Sequence, residues 1–399
     1  MMRKYSQGTV QKYRGEWRAV LSYQEDGMQH RLTRGTGVRC FPSKTDNRGK
    51  QSAERVLKEW RDEIVMKEAS RSETIESDDP FAEFCKRYAN SRLHIVKDST
   101  YLGYMAEVKR VVGSELGTTP ICRIVPEDIL RHESKLAENG LSPTSIVHHH
   151  AFIAAVFKAA AASRKIQYNP MATMRSPKRR SKPINSLSAE ERSRVFGLLK
   201  PRFPDEFSVA VTIALMTGMR RSEICALRWT DIDITGRCIH VNYNLTKTVG
   251  GGYGLSSPKD PGGGDSKRTI PIGENLTEVL YKRKAAMEHM RESFGVKWRP
   301  DLFVVGNALT GKPYSPDLIS RDWKSFARSN GIYGTQATYP VFHDLRHTFA
   351  TLAIKEKAID IKALSEILGH KDAAMTLNVY ADGLEDAKRS GMDKLDIAL

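Results

Sequence analysis

The spacing of apolar residues changes along the chain, and this change is the feature that most restricts the fold. In the first segment, apolar and polar residues alternate through Trp17, Ala19 and Leu21, which is typical of a half-buried strand. From Phe81 to about residue 176 the spacing is helical, and afterwards helical and strand patterns are mixed. Because 399 residues are also too many for one ordinary core, we expect a multidomain protein.

The first segment, residues 1–72, is predicted to form a small sheet followed by one helix. The alternating pattern turns at Glu25-Asp26-Gly27 and then resumes, as a hairpin does. SAERVLKEWRDEIVMKEA shows helical spacing, with Ser52 as the expected N-cap. Strands can enter a DNA groove, so we expect one basic face of this sheet to bind DNA through Lys12, Arg14, Arg18, Arg31 and Arg34.

The middle segment, residues 79–176, is predicted to be a four-helix unit formed by DPFAEFCKRYAN, STYLGYMAEVKRVVGSELG, VPEDILRHESKLAENG and SPTSIVHHHAFIAAVFKAAAASRK. His148, His149 and His150 are consecutive, so they fan around a helix and cannot all bind one metal. We interpret them as structural or solvent-facing. Residues 177–187 form a basic linker, and this region is expected to lie on phosphates through Arg175, Lys178, Arg179, Arg180 and Lys182.

The third segment, residues 188–399, is predicted to be mixed but mainly helical. SLSAEERSRVFGLLK has the pattern of a capped helix, and DEFSVAVTIALMTG that of a buried helix. CIHVNYNLTK and KRTIPI have strand patterns, and further helices are expected from Leu276 onward.

The charge balance favours a polyanionic partner. The chain has 63 lysines and arginines against 47 aspartates and glutamates, a net charge of +16. Nucleic acid fits this excess better than an acidic membrane surface, because the basic residues lie along the whole chain; a merely solvated basic surface is the alternative. No apolar run is long enough for a membrane span and no secretory signal is recognised, so we expect a cytoplasmic protein. The scattered cysteines are expected to be reduced: Cys40, Cys85, Cys122, Cys225 and Cys238.

The stretch HDLRH allows two kinds of site. His343 and His347 would share one helix face and could bind zinc with His370 as a third ligand. However, Asp344 stands where zinc hydrolases have glutamate, and Arg346 would place a permanent cation beside the metal. The alternative is that Arg346 binds phosphate oxygens through its guanidinium fork, with an imidazole beside it. We favour this phosphate hypothesis.

A second phosphate-binding arginine is predicted in MTGMRRSEICALRW. The buried helix should stop at Thr217-Gly218, so that Arg220 lies on the turn before a short helix starting near Ser222. Arg221 and Arg228 are the solvated or structural alternatives. Downstream, SEILGHKDAAMTLNVYADG predicts a helix that stops at Gly369, with His370 just past it and Tyr380 ten residues later. Taken alone, Tyr380 fits a half-buried core tyrosine as well.

Together these motifs resemble those of the tyrosine recombinase, or phage integrase, family. TGMRRSEICALRW resembles its first arginine box, HDLRH its H-x-x-R box and LGH its third motif, followed by the tyrosine. The middle segment resembles the family's core-DNA-binding domain. The first segment resembles the three-stranded arm-binding domain of integrases from prophages and conjugative transposons. The resemblance implies a small three-stranded β-sheet plus helix, an all-α core-binding domain and a mainly α (α+β) catalytic domain.

The resemblance also implies a role for each motif residue. Tyr380 would attack the scissile phosphate and form a 3′-phosphotyrosyl link, while Arg220 and Arg346 would neutralise the transition-state charge. His343 would help to remove the phenol proton, and His370 would donate a hydrogen bond to the phosphate. Neither ATP, a metal nor another cofactor is expected.

The family also uses a hairpin lysine to protonate the leaving 5′-oxygen. Here the hairpin is expected within GGYGLSSPKDPGGGDSKRTIPI, and Lys259 is the predicted lysine, with Lys267 or Lys247 as alternatives because a glycine-rich insert lengthens the tip. Glu223 is expected to support the arginine turn. Asp344 is expected to orient a neighbouring group, and His347 to be structural.

The predicted function is site-specific DNA recombination through a Holliday junction by a homotetramer on core and arm sites, with possible accessory directionality or bending proteins. A type IB topoisomerase is the alternative with the same chemistry. A DNA-binding regulator with a decayed site and a metallohydrolase are further alternatives. The end of the chain carries apolar residues at roughly helical spacing, expected to pack on a neighbouring protomer or on their own domain: Leu384, Met392, Leu395, Ile397 and Leu399.

Overall fold

The computed structural model describes residues 5–25, 28–41, 47, 49–72, 77–178, 183–258 and 267–369. These residues form two compact units that divide near residue 180. None of the helices within these ranges combines the length and the apolarity needed to cross a membrane. The five cysteines are free thiols, as the sequence predicted.

The start of the first unit is the predicted sheet with one helix. Strands β1 (Thr9–Tyr13), β2 (Glu16–Glu25) and β3 (Met28–Arg39) pair antiparallel in the order β1-β2-β3. Helix α1 (Lys50–Ser72) contributes to a small core with this sheet. The prediction of Ser52 as N-cap is wrong, because the Ala53 N–H already donates to the Gly49 carbonyl and the helix begins at Lys50.

Two of the basic residues predicted for one face of the sheet lie on the face that α1 covers. Lys12 is opposite Trp17 in the strand register, and its ammonium lies 5.3 Å from the Trp17 ring centroid. Arg34 is opposite Ala19, which belongs to the core with α1, and its Nη1 lies 3.4 Å from Glu63 on that helix. Directly opposite residues of antiparallel strands share a face. The prediction of a single basic face is therefore wrong.

The uncovered face carries Arg18 and Arg31, because side chains alternate along each strand and both residues are out of phase with the core positions. The Arg18 guanidinium stacks over the Tyr13 ring at 3.6 Å from its centroid. Arg14 lies in the β1–β2 turn, where it adopts a φ of 49°. These residues form the basic surface of the sheet that remains uncovered by α1.

The helical part of the first unit contains five α-helices: α2 (Phe81–Ser91), α3 (Asp98–Val111), α4 (Glu115–Thr118), α5 (Pro126–Glu138) and α6 (Pro143–Ala162). The prediction of four helices is wrong because the second predicted helix is broken. Gly113 has a φ of 80° between α3 and α4, and Ser114 then caps α4 by accepting a hydrogen bond from the Gly117 N–H at 3.0 Å. The Phe81 and Phe157 rings stack in the core at 4.9 Å.

Buried polar contacts account for two of the three consecutive histidines. The His149 Nδ1 lies 2.8 Å from Glu107, and its Nε2 lies 3.0 Å from the His132 Nε2. The His150 Nδ1 lies 2.9 Å from Glu133. His148 is exposed. The interpretation of these histidines as structural or solvent-facing is therefore confirmed.

The second unit contains helices α7 (Ala189–Leu199), α8 (Glu206–Thr217), α9 (Arg221–Ala226), α10 (Glu274–Ser293), α11 (Pro316–Ser329), α12 (Asp344–Lys355) and α13 (Ile361–Leu368). Its strands are β4 (Ile232–Asp233), β5 (Cys238–Val241), β6 (Asn244–Lys247), β7 (Tyr253–Ser256) and β8 (Arg268–Pro271). Helix α8 is buried along almost its whole length and contacts α10, α11 and α12. Apolar residues surround α8 on all sides, so it forms the core on which the site is built.

The strands of the second unit pair differently from the prediction. CIHVNYNLTK is not one strand but β5 and β6, which belong to different sheets. Strand β7 pairs with β6, whereas β8 pairs with β5, with Ile270 opposite Ile239. The expected hairpin of GGYGLSS with KRTIPI is therefore wrong, because its two arms are in separate sheets.

Candidate functional site

The turn between α8 and α9 places Arg220 at the edge of a buried scaffold. Gly218 ends α8 with a φ of 64°, a conformation that glycine adopts without steric cost. A side chain at this position would collide with Phe349, since a Cβ would lie 2.5 Å from that ring. Arg220 then begins α9 as its N-cap residue. The helix stop and the restart near Ser222 are as predicted.

Hydrogen bonds fix both the backbone and the side chain of Arg220. The Arg220 N–H donates to Glu223 Oε2 at 2.8 Å, and its Nη1 donates to Glu223 Oε1 at 3.0 Å. The Nη2 donates to the carbonyl of Gly369 at 3.1 Å. Glu223 therefore supports the arginine turn, as predicted, and the Arg220 guanidinium is held by two separate segments.

The second predicted arginine lies on α12 and contacts the same part of the chain. Arg346 is only 3% exposed. Its Nη1 donates to the Gly218 carbonyl and its Nη2 to the Leu368 carbonyl, each at 2.7 Å. Arg346 therefore links the helix stop after α8 to the end of α13.

The structure thus brings together the arginine box, the H-x-x-R box and the start of the LGH motif. Helix α13 ends at Leu368, and Gly369 follows with a φ of 66°, which confirms the predicted stop. The last carbonyls of a helix carry partial negative charge and lack partners within the helix. Guanidinium groups supply those partners here, so that residues from three motifs form one hydrogen-bonded network.

His343 adjoins this network just before α12. Burial, followed by the electrostatic effects of His347, Arg346 and Arg220, lowers the pKa of His343 to about 4. The side chain is therefore neutral at pH 7. A neutral imidazole can accept a proton, which an imidazolium cannot.

Two of the three histidines of the zinc hypothesis, His343 and His347, lie close together. The His343 and His347 rings do lie on one face, 5.0 Å apart and nearly perpendicular. Burial is the first cause that lowers the pKa of His347, followed by the charge of Arg346. Within the described part of the chain, no three His, Cys, Asp or Glu side chains are grouped so that they could hold a metal ion. His370, the third ligand of that hypothesis, lies outside the described residues.

A cavity of about 500 Å³ opens beside Arg220 and His343. Arg221 and Lys324 also line it, so every charged side chain among its lining residues is cationic. Ser320 lies in the same cavity and accepts a hydrogen bond from the Arg221 Nη1. A site of this charge and size suits an anionic group such as a phosphate.

The remaining predicted residues divide into those outside the described ranges and those that are placed. Lys247 Nζ lies 2.6 Å from Asp317 Oδ2, and this contact raises the pKa of Lys247. Asp344 accepts a hydrogen bond from the Val341 N–H at 2.7 Å and so orients the segment before α12. Arg175, just before the linker, and Lys178, within it, are both exposed. The predictions that lie outside the described residues are Lys259, His370, Tyr380, Arg179, Arg180, Lys182 and the apolar tail.

Sequence reasoning missed Arg268, which lies at the start of β8. Both its Nη atoms donate to Glu223, at 3.0 and 2.7 Å, and its Nε donates to the Ile367 carbonyl at 2.6 Å. A signal was present in the sequence, because Arg268 has the same strand phase as the buried Ile270 and Ile272. An arginine at such a position needs a buried acidic partner.

Comparison with known proteins gives relatives that match most of the chain. The family described as "Phage integrase family" matches residues 189–386. A tyrosine recombinase, XerA, of Pyrococcus furiosus is 30% identical over 264 residues, covering 66% of this chain and 77% of the relative. The ICEBs1 integrase of Bacillus subtilis is 26% identical over 276 residues, covering 69% of this chain and 72% of the relative.

The fold also resembles that of a solved integrase. The Tn1549 transposon integrase, solved in complex with a circular intermediate DNA, has a TM-score of 0.63 and 24% identity, covering 78% of this chain and 99% of that one. The relatives named above are a recombinase and two integrases, so the comparisons do not favour the topoisomerase alternative. The family match and both relatives agree with the motifs that Arg220 and Arg346 bring together, and the chain therefore belongs to the phage integrase family and is a tyrosine recombinase.

Proposed function

We propose that the chain cuts and rejoins DNA at specific sites through a 3′-phosphotyrosyl intermediate, as the integrase of a phage or conjugative element. The observation that carries this proposal is the pair of arginines, Arg220 and Arg346, held on the adjacent carbonyls of Gly369 and Leu368. Guanidinium groups suit the non-bridging oxygens of a phosphate, and Arg220 lines a cavity whose charged side chains are all cationic.

In the proposed reaction, the Tyr380 phenol oxygen attacks the scissile phosphorus and the bond to the 5′-oxygen breaks. Arg220 and Arg346 neutralise the charge that develops on the non-bridging oxygens, and His370 donates a hydrogen bond to the same phosphate. His343 accepts the phenol proton, and its neutral state at pH 7 supports this role. The phosphotyrosyl bond retains the energy for rejoining, so the reaction needs neither ATP nor a metal.

Lys259 is proposed to protonate the leaving 5′-oxygen. The ion pair of Lys247 with Asp317 supports this choice over Lys247, because a lysine held by a carboxylate is a poorer proton donor. Lys267, which directly precedes β8, remains the alternative. Lys259→Ala and Lys267→Ala therefore need to be compared with a 5′-phosphorothiolate substrate, whose sulfur leaves without protonation and should rescue only the variant that lacks the proton donor.

The DNA contacts are proposed to follow the predicted domains, with residues 1–72 on arm sites, 79–176 on core sites, 177–187 as a linker and 188–399 as the catalytic domain. Separate apolar clusters in the sheet part and the helical part of the first unit support the first boundary. Arg18 and Arg31 are proposed to make the main contacts with the arm site, because they lie on the face of the sheet that α1 does not cover. The net charge of +16 supports binding along a long stretch of DNA.

A homotetramer is proposed as the active assembly. Recombination between two duplexes breaks four strands, and each protomer supplies one Tyr380 nucleophile. Accessory bending or directionality proteins are proposed to choose between integration and excision. The site of action is proposed to be the cytoplasm.

The proposal is tested with a nicked suicide duplex that carries a recombination site, incubated in EDTA. We expect a covalent protein–DNA adduct from the intact chain and none from Tyr380→Phe, which lacks only the nucleophilic oxygen. An adduct that persists in Tyr380→Phe, or no adduct from the intact chain, contradicts the proposed mechanism. Relaxation of supercoiled DNA without any sequence requirement would instead favour the topoisomerase alternative, and binding without cleavage would favour the regulator.

A further inference from the structure

We propose that Arg268 is a positioning residue of the active site, which orients Arg220 through Glu223 and fixes the end of α13. This inference rests on the proposed function for its catalytic consequence. Within the described ranges, Arg268 forms no hydrogen bond with Arg220 or Arg346 themselves. It acts through Glu223, which also binds Arg220, and through the end of α13, which both motif arginines contact. Three independent features of its surroundings support this role.

The first feature is the buried carboxylate between two arginines. The side chain of Arg268 is 8% exposed and that of Glu223 is 0% exposed. Arg268 donates to both oxygens of Glu223, and each of those oxygens also accepts from Arg220. An isolated buried carboxylate would be costly. Arg268 keeps Glu223 ionised and in one orientation, so that Glu223 can hold the Arg220 backbone and guanidinium.

The second feature is the row of three carbonyls at the end of α13. The carbonyls of Ile367, Leu368 and Gly369 accept from Arg268, Arg346 and Arg220, respectively. A bond from each of three consecutive carbonyls to a different element leaves this segment little freedom. Arg268 supplies the contact on Ile367, three residues before the proposed phosphate ligand His370.

The third feature is the close packing of Arg268 against the glycine of the LGH motif. A Cβ at Gly369 would lie 3.1 Å from the Arg268 Nη1 and 3.3 Å from its Cζ. Arg268 also begins the strand that follows the segment carrying Lys259. The Arg268 side chain thus connects the arginine box, the LGH motif and the strand after the lysine segment.

The chosen variant is Arg268→Lys, which keeps the positive charge but cannot contact both carboxylate oxygens and a carbonyl in the same plane. The matched control is Arg283→Lys. Arg283 is 5% exposed in the same unit and donates to the carbonyls of Val304 and Gly306, away from the network. Its substitution should lower stability without moving Arg220.

The first measurement is hydrogen exchange, which does not depend on activity. The Arg220 amide is protected by Glu223, so Arg268→Lys should raise its exchange rate at least about tenfold under native conditions, whereas Arg283→Lys should leave it near the wild-type rate. Unchanged exchange across residues 218–224 in Arg268→Lys overturns the positioning role, whether or not the chain proves to be a recombinase.

The second measurement is the rate of adduct formation at saturating DNA, below the melting temperature of each variant. Arg268→Lys should cut the rate about 10- to 100-fold while the Kd for DNA stays within about twofold. Glu223→Gln should act similarly, and the double variant should be no slower than the slower single one, because both changes break the same contact. An equal loss in Arg283→Lys, or additive losses, would overturn the proposal. Failure of the wild-type chain to form an adduct contradicts the proposed function instead.

Discussion

Arg220 and Arg346 donate to the carbonyls of consecutive residues, Gly369 and Leu368, at 3.1 and 2.7 Å. The two guanidinium groups come from different helices, yet one short segment sets the spacing between them. Consecutive Cα atoms are about 3.8 Å apart, so both guanidinium groups contact the chain within one short stretch. The end of α13 therefore holds the arginine box and the H-x-x-R box in a fixed arrangement.

The first prediction concerns the shape of Arg346 rather than its charge. Arg346→Lys keeps one positive charge but loses one of the two carbonyl contacts, since an ammonium lacks the planar fork. We expect adduct formation to slow about 100- to 1,000-fold, the usual cost of losing a transition-state donor, with little change in DNA affinity. Single-turnover cleavage and a binding titration measure the two effects. Arg228→Lys, whose guanidinium faces Asp231 and Tyr243, is the control and should cleave normally.

His343 should remain neutral well below pH 7. Its pKa of about 4 is caused by burial and by the positive charges around it, and lies below the ordinary value of 6.5. Because protonation of the native state is disfavoured, the free energy of unfolding should fall as the pH drops from about 6.5 towards 4. NMR of the imidazole nitrogens can follow the titration directly. A midpoint for His343 at or above pH 6 in the free protein would contradict this account.

Local signals in the sequence identified much of the site. Helix stops at Gly218 and Gly369 depend on glycine at the end of an apolar helix, and both are where the pattern indicated. The motif arginines were likewise identifiable from residue type and order. Such features depend on a few neighbouring residues, which is why a sequence can reveal them.

Features that depend on distant pairing were not identifiable. Strand β7 pairs with β6 and not with β8, and no local pattern decides between two possible partners. The position of Arg34 on the helix side of the sheet likewise follows from its register with Ala19 and from a helix about thirty residues away. Glu223 was expected to support one arginine, but its second partner, Arg268, comes from a strand 45 residues later. Only the folded chain brings these groups together.

Gly218→Ala should destabilise the second unit. The backbone there has a φ of 64°, and the new Cβ would lie 2.5 Å from Phe349 and 2.8 Å from Leu368. The left-handed conformation costs about 1–2 kcal/mol and overpacking about 1–3 kcal/mol more. We expect thermal or denaturant unfolding to show a loss of roughly 2–5 kcal/mol. Gly197→Ala is the matched control, since Gly197 lies in α7 with no atom within 4 Å of an added Cβ, and it should stabilise by about 0.5–1 kcal/mol. Equal losses in both variants would refute the steric explanation.

The buried histidine pair should make the first unit sensitive to acid. Burial, followed by the charges of His149 and Lys135, lowers the pKa of His132 to about 4 from 6.5. The unfolded chain therefore binds more protons in this window, and the free energy of unfolding should fall between pH 6.5 and 4, by about 3 kcal/mol at most. His132→Gln keeps a partner for His149 without titrating, and should flatten this dependence. His148→Gln, at an exposed site on α6, should leave it unchanged; a flattened profile in both variants would argue against the pair.

The two faces of the N-terminal sheet should differ in DNA binding. Arg31 lies on the uncovered face, whereas Arg34 lies 3.4 Å from Glu63 on the helix side. Each phosphate contact adds about 0.9 to the slope of log affinity against log salt concentration. We expect Arg31→Ala to reduce the slope for an arm-site duplex by about one contact, and Arg34→Ala to leave it nearly unchanged. Both variants lose the same charge, so a difference between them reports position. If Arg31→Ala and Arg34→Ala gave the same slope as each other, the uncovered face would not be the one that lies on the phosphates.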